Sequence, residues 1–106
     1  MSQHTLKFSC LLIVIFLGLD LNARVVIPAL FADHMVLQRD KPIVVWGEAI
    51  YETEITVTFN DLTEICLVEN GRWKTTFPAM PAGGPHKLTV KGSNTILIED
   101  ILMGDV

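Results

Sequence analysis

Few residues of this 106-residue chain have side chains suited to acid–base or nucleophilic chemistry. Asp33 and His34 are adjacent, and a carboxylate can orient a histidine for proton transfer. Neighbouring residues in an extended segment point to opposite sides, so we expect this pair to tie its loop to the domain or to a neighbour. His86 follows a proline-rich loop and is interpreted as an exposed structural residue. Ser93 lies in a Gly-Ser-Asn turn, unlike the strand-to-helix elbow of a hydrolase nucleophile.

The remaining polar residues do not form a recognisable constellation. No pair of His, Cys, Asp or Glu has the spacing of zinc ligands, and no glycine-rich loop could hold a phosphate. Arg39 is interpreted as a clamp on a carboxylate at an interface rather than as a substrate contact. The sequence therefore predicts no catalytic, cofactor-binding or metal-binding residue.

The N-terminus has the order of a secretory signal peptide. Residues 1–7 are polar and include Lys7, residues 8–19 are apolar and uncharged, and Ala23 is a small residue suited to cleavage. The apolar run is shorter than the roughly 20 residues that span a bilayer. An uncleaved anchor is the alternative, because Leu21 is a poor residue for position −3, the third residue before the cleavage site. We expect cleavage after residue 23 and a secreted or periplasmic product without a membrane anchor.

The net charge restricts the possible binding partners, and the cysteine content restricts the possible disulfides. The formal net charge is −4, which argues against a nucleic-acid partner, since phosphates require a basic surface. Cys66 is the single cysteine beyond the signal segment, so an internal disulfide is excluded. A small buried hydrophobe in a strand is the expected role of Cys66.

Residues 24–100 read as seven or eight short strands without a helix. Residues 54–60 alternate strictly, which places Ile55, Val57 and Phe59 on one face of a strand. Residues 43–47 are apolar on both faces and indicate a central strand with Trp46 in the core. Asn70-Gly71 is a strong hairpin signal. The fold class is all-β, an immunoglobulin-like or jelly-roll-like β-sandwich.

Residues 28–40 fit no secondary-structure period, although they combine apolar and charged side chains. A segment of this composition is expected to be partly buried, with its polar groups committed to specific partners. We expect it to lie at or near a contact with another domain. The residues predicted to make that contact are Phe31, Asp33, His34, Met35, Gln38 and Arg39.

Residues 28–39, Pro-Ala-Leu-Phe-Ala-Asp-His-Met-Val-Leu-Gln-Arg, form a long and specific motif that strongly resembles the N-terminal region of the sialate O-acetylesterase family. Shorter pieces agree with the family in order and spacing: residues 41–43, 45–47, 57–60, 70–73, 80–85 and 100–106.

The resemblance implies an SGNH-type carbohydrate esterase, secreted or lysosomal, that removes O-acetyl groups from sialic acids or other glycans. In the family a β-sandwich precedes an α/β catalytic domain, whose serine lies in a Gly-Gln-Ser-Asn motif just beyond the equivalent of residues 104–106. Residues 101–106 would begin that domain. No family catalytic position is matched, so we expect this chain to be inactive alone and to pack against the catalytic domain.

Two alternatives remain at the level of sequence. One is a free-standing secreted module that binds glycans, and it requires an exposed aromatic platform, for which Tyr51 is the main candidate. The other is a structural module without a ligand. An exposed Trp46 or Trp73 in a groove would favour the glycan-binding alternative.

Overall fold

A computed structural model describes residues 23–106, which form two β-sheets packed face to face. The predicted signal segment therefore lies outside the described residues, except for Ala23. The strands are β1 (Arg24–Val26), β2 (Val36–Gln38), β3 (Ile43–Ile50), β4 (Glu54–Phe59), β5 (Leu62–Leu67), β6 (Arg72–Phe77), β7 (Gly83–Lys91) and β8 (Thr95–Gly104). The predicted all-β sandwich of seven or eight strands is confirmed. The described residues contain no helix long and apolar enough to cross a membrane.

The two sheets have three and five strands. The smaller is antiparallel in the order β1-β3-β6, so β3 is central, as predicted. The larger has the order β2-β8-β7-β4-β5 and is antiparallel except for β2, which runs parallel to β8. The chain crosses between the sheets after β1, β2, β3, β5 and β6, so most of its strand pairs join residues distant in sequence.

The core follows the alternation of the sequence. Ile55, Val57 and Phe59 are fully buried, and Trp73 and Phe77 of β6 face them from the other sheet. The rings of Phe59 and Phe77 lie 5.9 Å apart and join the two layers. Burying side chains of this size contributes roughly 1.5–3 kcal/mol each, so this alternation stabilises the sandwich.

The Asn70-Gly71 turn forms, but the expected hairpin does not extend beyond it. Both residues have positive φ, 53° and 74°. The turn is closed by two hydrogen bonds between Glu69 and Arg72, with N···O distances of 2.9 and 3.0 Å. Beyond the turn, β5 pairs with β4 and β6 pairs with β3, in different sheets. The turn signal is local, whereas the choice of strand partner depends on the whole sandwich.

Strand β8 runs past residue 100 and ends at Gly104. Strand β8 continues through residues 101–104 between β2 and β7, and Ile101 and Met103 are buried in the core. Asp100 has a φ of 55°, and this irregularity lets Ile98 and Ile101 face the same side. Residues 101–104, which the resemblance assigned to the start of a further domain, thus lie in a strand that pairs within the larger sheet.

Trp46 does not lie in the core, in contrast to the prediction. Within β3, Val45 and its neighbours two residues away face inward, whereas Trp46 is 45% exposed on the outer face. The buried indole belongs to Trp73, whose Nε1 donates to the Glu48 carbonyl oxygen at 3.0 Å. A run that is apolar on both faces does not reveal which face is covered, and this ambiguity caused the error.

Candidate functional site

Residues 28–40 leave the smaller sheet after β1, contribute β2 to the larger sheet and return to the smaller sheet at β3. Two tight turns shape the first part, because the Phe31 amide donates to the Pro28 carbonyl at 3.1 Å and the Met35 amide to Ala32 at 3.2 Å. These turns direct the Phe31 ring into the core, where it is 6% exposed. Residues 28–40, which we call the crossing, are thus ordered and are fixed to the core by the buried Phe31 ring.

Asp33 and His34 anchor the crossing to β8. The Glu99 amide donates to Asp33 Oδ1 at 2.8 Å, and the His34 amide donates to the Glu99 carbonyl at 3.1 Å. His34 Nδ1 lies 2.6 Å from Asp100 Oδ2. His34 and Asp100 both have positive φ, 69° and 55°, so the two bent positions face each other. The adjacent Asp33 and His34 therefore bind β8 and not each other.

The hydrogen bond from Asp100 and its negative charge raise the pKa of His34 above the ordinary value of 6.5. Both side chains are exposed to water, which screens the pair and limits what it contributes to stability. A His–carboxylate pair could support proton transfer only if a nucleophile lay beside it. Within residues 23–106 the single serine is Ser93, in the turn after β7, where its amide donates to Glu52 Oε1 at 2.6 Å. The described residues therefore contain no Ser–His–Asp hydrogen-bonded chain.

The second half of the crossing is fixed to the end of the chain. The Leu102 amide donates to the Met35 carbonyl at 3.1 Å, and the Arg39 amide donates to the Gly104 carbonyl at 2.8 Å. Arg39 Nε lies 3.2 Å from Asp105 Oδ1, and Gln38 Oε1 accepts from the Val106 amide at 3.1 Å. The carboxylate expected to meet Arg39 at an interface is thus supplied by the chain itself.

The six residues predicted for a domain contact are consequently engaged within the sandwich. Phe31 is buried and Met35 packs against the core, while Asp33, His34, Gln38 and Arg39 bind β8 or the residues after it. The apolar side chains that the region exposes are different ones, namely Leu30, Val36 and Leu102. Val36 and Leu102 are register partners on neighbouring strands. The three-residue strand β2 is too short for its outward face to be recognised from sequence.

A second candidate site surrounds Trp46, on the outer face of the smaller sheet. The indole lines a groove of about 770 Å³, whose other exposed walls include Val44, Leu67, Glu69, Arg72 and Lys74. The sequence contained a signal for this site that the interpretation did not use. Glu48 stands two residues after Trp46 in a strand, and a charged side chain two positions away marks the face turned towards water.

The described part of the chain lacks a metal-binding cluster, and its one thiol is not activated. Residues 23–106 contain no group of three His, Cys, Asp or Glu side chains arranged to hold a metal ion. Cys66 is half-buried on β5, and its Sγ lies 3.6 Å from the Ile55 carbonyl. Burial raises the pKa of the Cys66 thiol, which disfavours the reactive thiolate.

Comparison with solved structures relates this chain to a carbohydrate acetylesterase. No family model matches the chain, and no curated protein matches it. Among solved structures, XAC1771, described as a novel carbohydrate acetylesterase from Xanthomonas citri, matches with 38% sequence identity and a TM-score of 0.73. The match covers 77% of this chain and 19% of that enzyme, so this chain spans about a fifth of its relative's length. The β-sandwich is thereby related to a module of a carbohydrate acetylesterase.

Proposed function

We propose that this sandwich is the N-terminal, non-catalytic part of a secreted or periplasmic O-acetylesterase acting on sialic acids or other acetylated carbohydrates, and that it packs against an SGNH hydrolase domain. The supporting observation is the match of most of this chain to a fifth of a carbohydrate acetylesterase. Acyl transfer requires an activated nucleophile and donors for the oxyanion. Residues 23–106 contain Ser93 as their one serine, and it lies in a turn.

The surface assigned to this contact differs from the one expected from sequence. Val36 and Leu102 are exposed, lie side by side on β2 and β8, and stand on the outer face of the larger sheet. Gly84 allows the close approach of Leu102 from the neighbouring strand, because a Cβ there would lie 2.9 Å from Leu102 Cδ2. We assign Val36 and Leu102 to the contact, with the hydrogen-bonded crossing behind them as a rigid support.

The activity test compares two forms of the protein. Hydrolysis of p-nitrophenyl acetate and of an O-acetylated sialic acid is measured for two proteins. The first is this chain, and the second is an extended form that also contains the residues encoded by the DNA after the codon of Val106. Turnover by the extended form alone supports the proposal. Turnover by this chain alone contradicts it and directs attention to Asp33, His34 and Ser93. Absence of turnover by the extended form on any O-acetylated sugar also contradicts it.

The contact test places a charge on the assigned surface of the extended form. Val36→Asp and Leu102→Asp should each lower esterase activity and the melting temperature, because a carboxylate would have to be desolvated in the contact. Leu62→Asp is the matched control, since Leu62 is also exposed but lies on β5, the opposite edge strand of the sheet. Equal effects at all three positions would refute the assigned surface.

A free-standing glycan-binding module is the alternative, and the exposure of Trp46 favours it specifically. The esterase comparison separates the two, because a free-standing module gives no activity in either form. A sugar-binding surface is compatible with both functions.

A further inference from the structure

The outer face of the smaller sheet presents an unusual number of large apolar side chains. Val26, Val44, Trp46 and Ile50 are each 37–45% exposed there, on the neighbouring strands β1 and β3. We call these four residues together with Arg72 and Lys74 the Trp46 face. A concentration of exposed apolar side chains, bordered by charged ones, is typical of a binding surface.

The Trp46 ring is held in a defined orientation. The buried Phe31 ring meets it edge to face, with 6.2 Å between centroids and an interplanar angle of 76°. Beneath the groove, Gly47 allows the Trp73 indole to pack against the strand, because a Cβ on Gly47 would lie 2.7 Å from the Trp73 ring. A ligand that stacks on Trp46 therefore meets a pre-ordered ring and pays little conformational entropy for it.

Two cationic side chains of β6 stand beside Trp46. Lys74 stands directly opposite Trp46 in the strand register, and Arg72 stands two residues before it on β6, opposite Glu48. Among the ion pairs and side-chain hydrogen bonds of residues 23–106, none involves the side chain of Arg72 or Lys74. The groove walls carry these two cations and the carboxylate of Glu69, and a second carboxylate, Glu48, stands opposite Arg72 outside the groove lining. The whole chain, in contrast, has a net charge of −4.

We propose that the Trp46 face binds the ring of an acidic sugar, one that bears a carboxylate. The apolar C–H face of the ring stacks on the Trp46 indole, the carboxylate pairs with Arg72 and Lys74, and Glu69 accepts from a ring hydroxyl. The guanidinium of Arg72 suits a carboxylate because it can donate two parallel hydrogen bonds. The choice of a carbohydrate rests on the proposed function, whereas the acidic class rests on the charges of the groove.

The shape of the groove favours a sugar over a protein partner. Its volume of about 770 Å³ falls within the range of roughly 300–1,000 Å³ that holds small ligands. An aromatic floor with a few convergent polar groups is also the composition of such sites. A second copy of the chain is the competing occupant, because exposed apolar strands can associate with each other.

Binding is measured by titration calorimetry on the full chain, in the absence of any esterase reaction. The probes are an oligomer of galacturonic acid and an oligomer of galactose of the same length, which differ by the carboxylate at C6. We expect the acidic oligomer to bind at least about tenfold more tightly, because its carboxylate adds charge-assisted hydrogen bonds that the neutral oligomer lacks. The difference should shrink as salt is added.

Three variants test the assignment. Trp46→Ala should lower the affinity for the acidic oligomer at least about tenfold, since it removes the stacking surface. The double variant Arg72→Gln, Lys74→Gln should bring the affinity for the acidic oligomer down to that for the neutral one. Tyr51→Ala is the matched control, because Tyr51 is a more exposed aromatic residue that does not line the groove, and it should bind as the parent does. The far-ultraviolet circular dichroism spectrum reports that each variant is folded, and in Trp46→Ala the emission of the buried Trp73 reports it as well.

The proposal fails if Trp46→Ala binds as tightly as the parent, if the two oligomers bind equally, or if neither binds at millimolar concentration. Self-association that Trp46→Ala abolishes would assign the face to a second copy and would also overturn it. An inactive extended form with intact sugar binding would instead contradict the esterase proposal alone, so the two failures can be distinguished.

Discussion

Replacing Phe31 by alanine tests whether the crossing of residues 28–40 is anchored by its buried ring. Phe31 is 6% exposed and packs against the Trp46 ring, whereas the adjacent Leu30 is 63% exposed. Truncation of a buried phenylalanine costs about 3–5 kcal/mol, and the edge-to-face contact lies within that cost. A domain of residues 23–106 has a total stability of roughly 4–13 kcal/mol at about 0.05–0.15 kcal/mol per residue, so this loss is a large part of it.

The assay is urea unfolding followed by tryptophan fluorescence, to which the buried Trp73 and the half-exposed Trp46 contribute. With a slope of about 1 kcal/mol per molar urea, as small domains have, Phe31→Ala should lower the unfolding midpoint by about 3–5 M or unfold the chain outright. Leu30→Ala should shift the stability by less than about 0.5 kcal/mol, because its side chain is already in water. Equal shifts for the two neighbours would refute the conclusion that Phe31 belongs to the core.

Three further predictions follow from local geometry. Gly47→Ala should destabilise the fold by about 1–3 kcal/mol, because its Cβ would lie 2.3 Å from a backbone oxygen and 2.7 Å from a buried indole. Gly104→Ala should be tolerated, because the nearest atom to its Cβ would lie at 3.5 Å. The urea unfolding midpoints of the two variants measure the difference. The raised pKa of His34 predicts that its pair with Asp100 stabilises the fold fully below pH 6.5 and that this contribution is lost as the pH rises through the folded-state pKa. Cys66 should react slowly with a thiol reagent in the folded Cys10→Ser chain and rapidly in urea.

Each of these predictions has a contrary outcome. Equal destabilisation by the two glycine substitutions would show that the close contacts of Gly47 are not decisive. The Asp100→Asn variant retains a hydrogen-bonding side chain without the charge, and its stability should vary less with pH between 6 and 8 than that of the parent. An unchanged pH profile in this variant would contradict the role assigned to the pair. Equal thiol reactivity in both conditions would contradict the partial burial of Cys66.

The sequence by itself determined the features that depend on local periodicity. The strict alternation of residues 54–60 identified Ile55, Val57 and Phe59 as core residues, because successive side chains of a strand point to opposite faces of the sheet. The Asn70-Gly71 turn followed from the tolerance of both residues for positive φ. The long motif of residues 28–39 carried the resemblance to carbohydrate esterases, and the structural relative supports that relation at the level of a carbohydrate acetylesterase.

Only the tertiary structure decided which residues meet across the fold. The partners of Asp33 and His34 lie at Glu99 and Asp100, 66 positions away, and no local pattern reveals a contact over that distance. The strands on either side of the Asn70-Gly71 turn joined different sheets because pairing is a choice among all strand edges. Trp46 was assigned to the core and lies outside it, because the covering of one face depends on the other sheet and not on the strand. The candidate sugar-binding groove became visible only once that face was known.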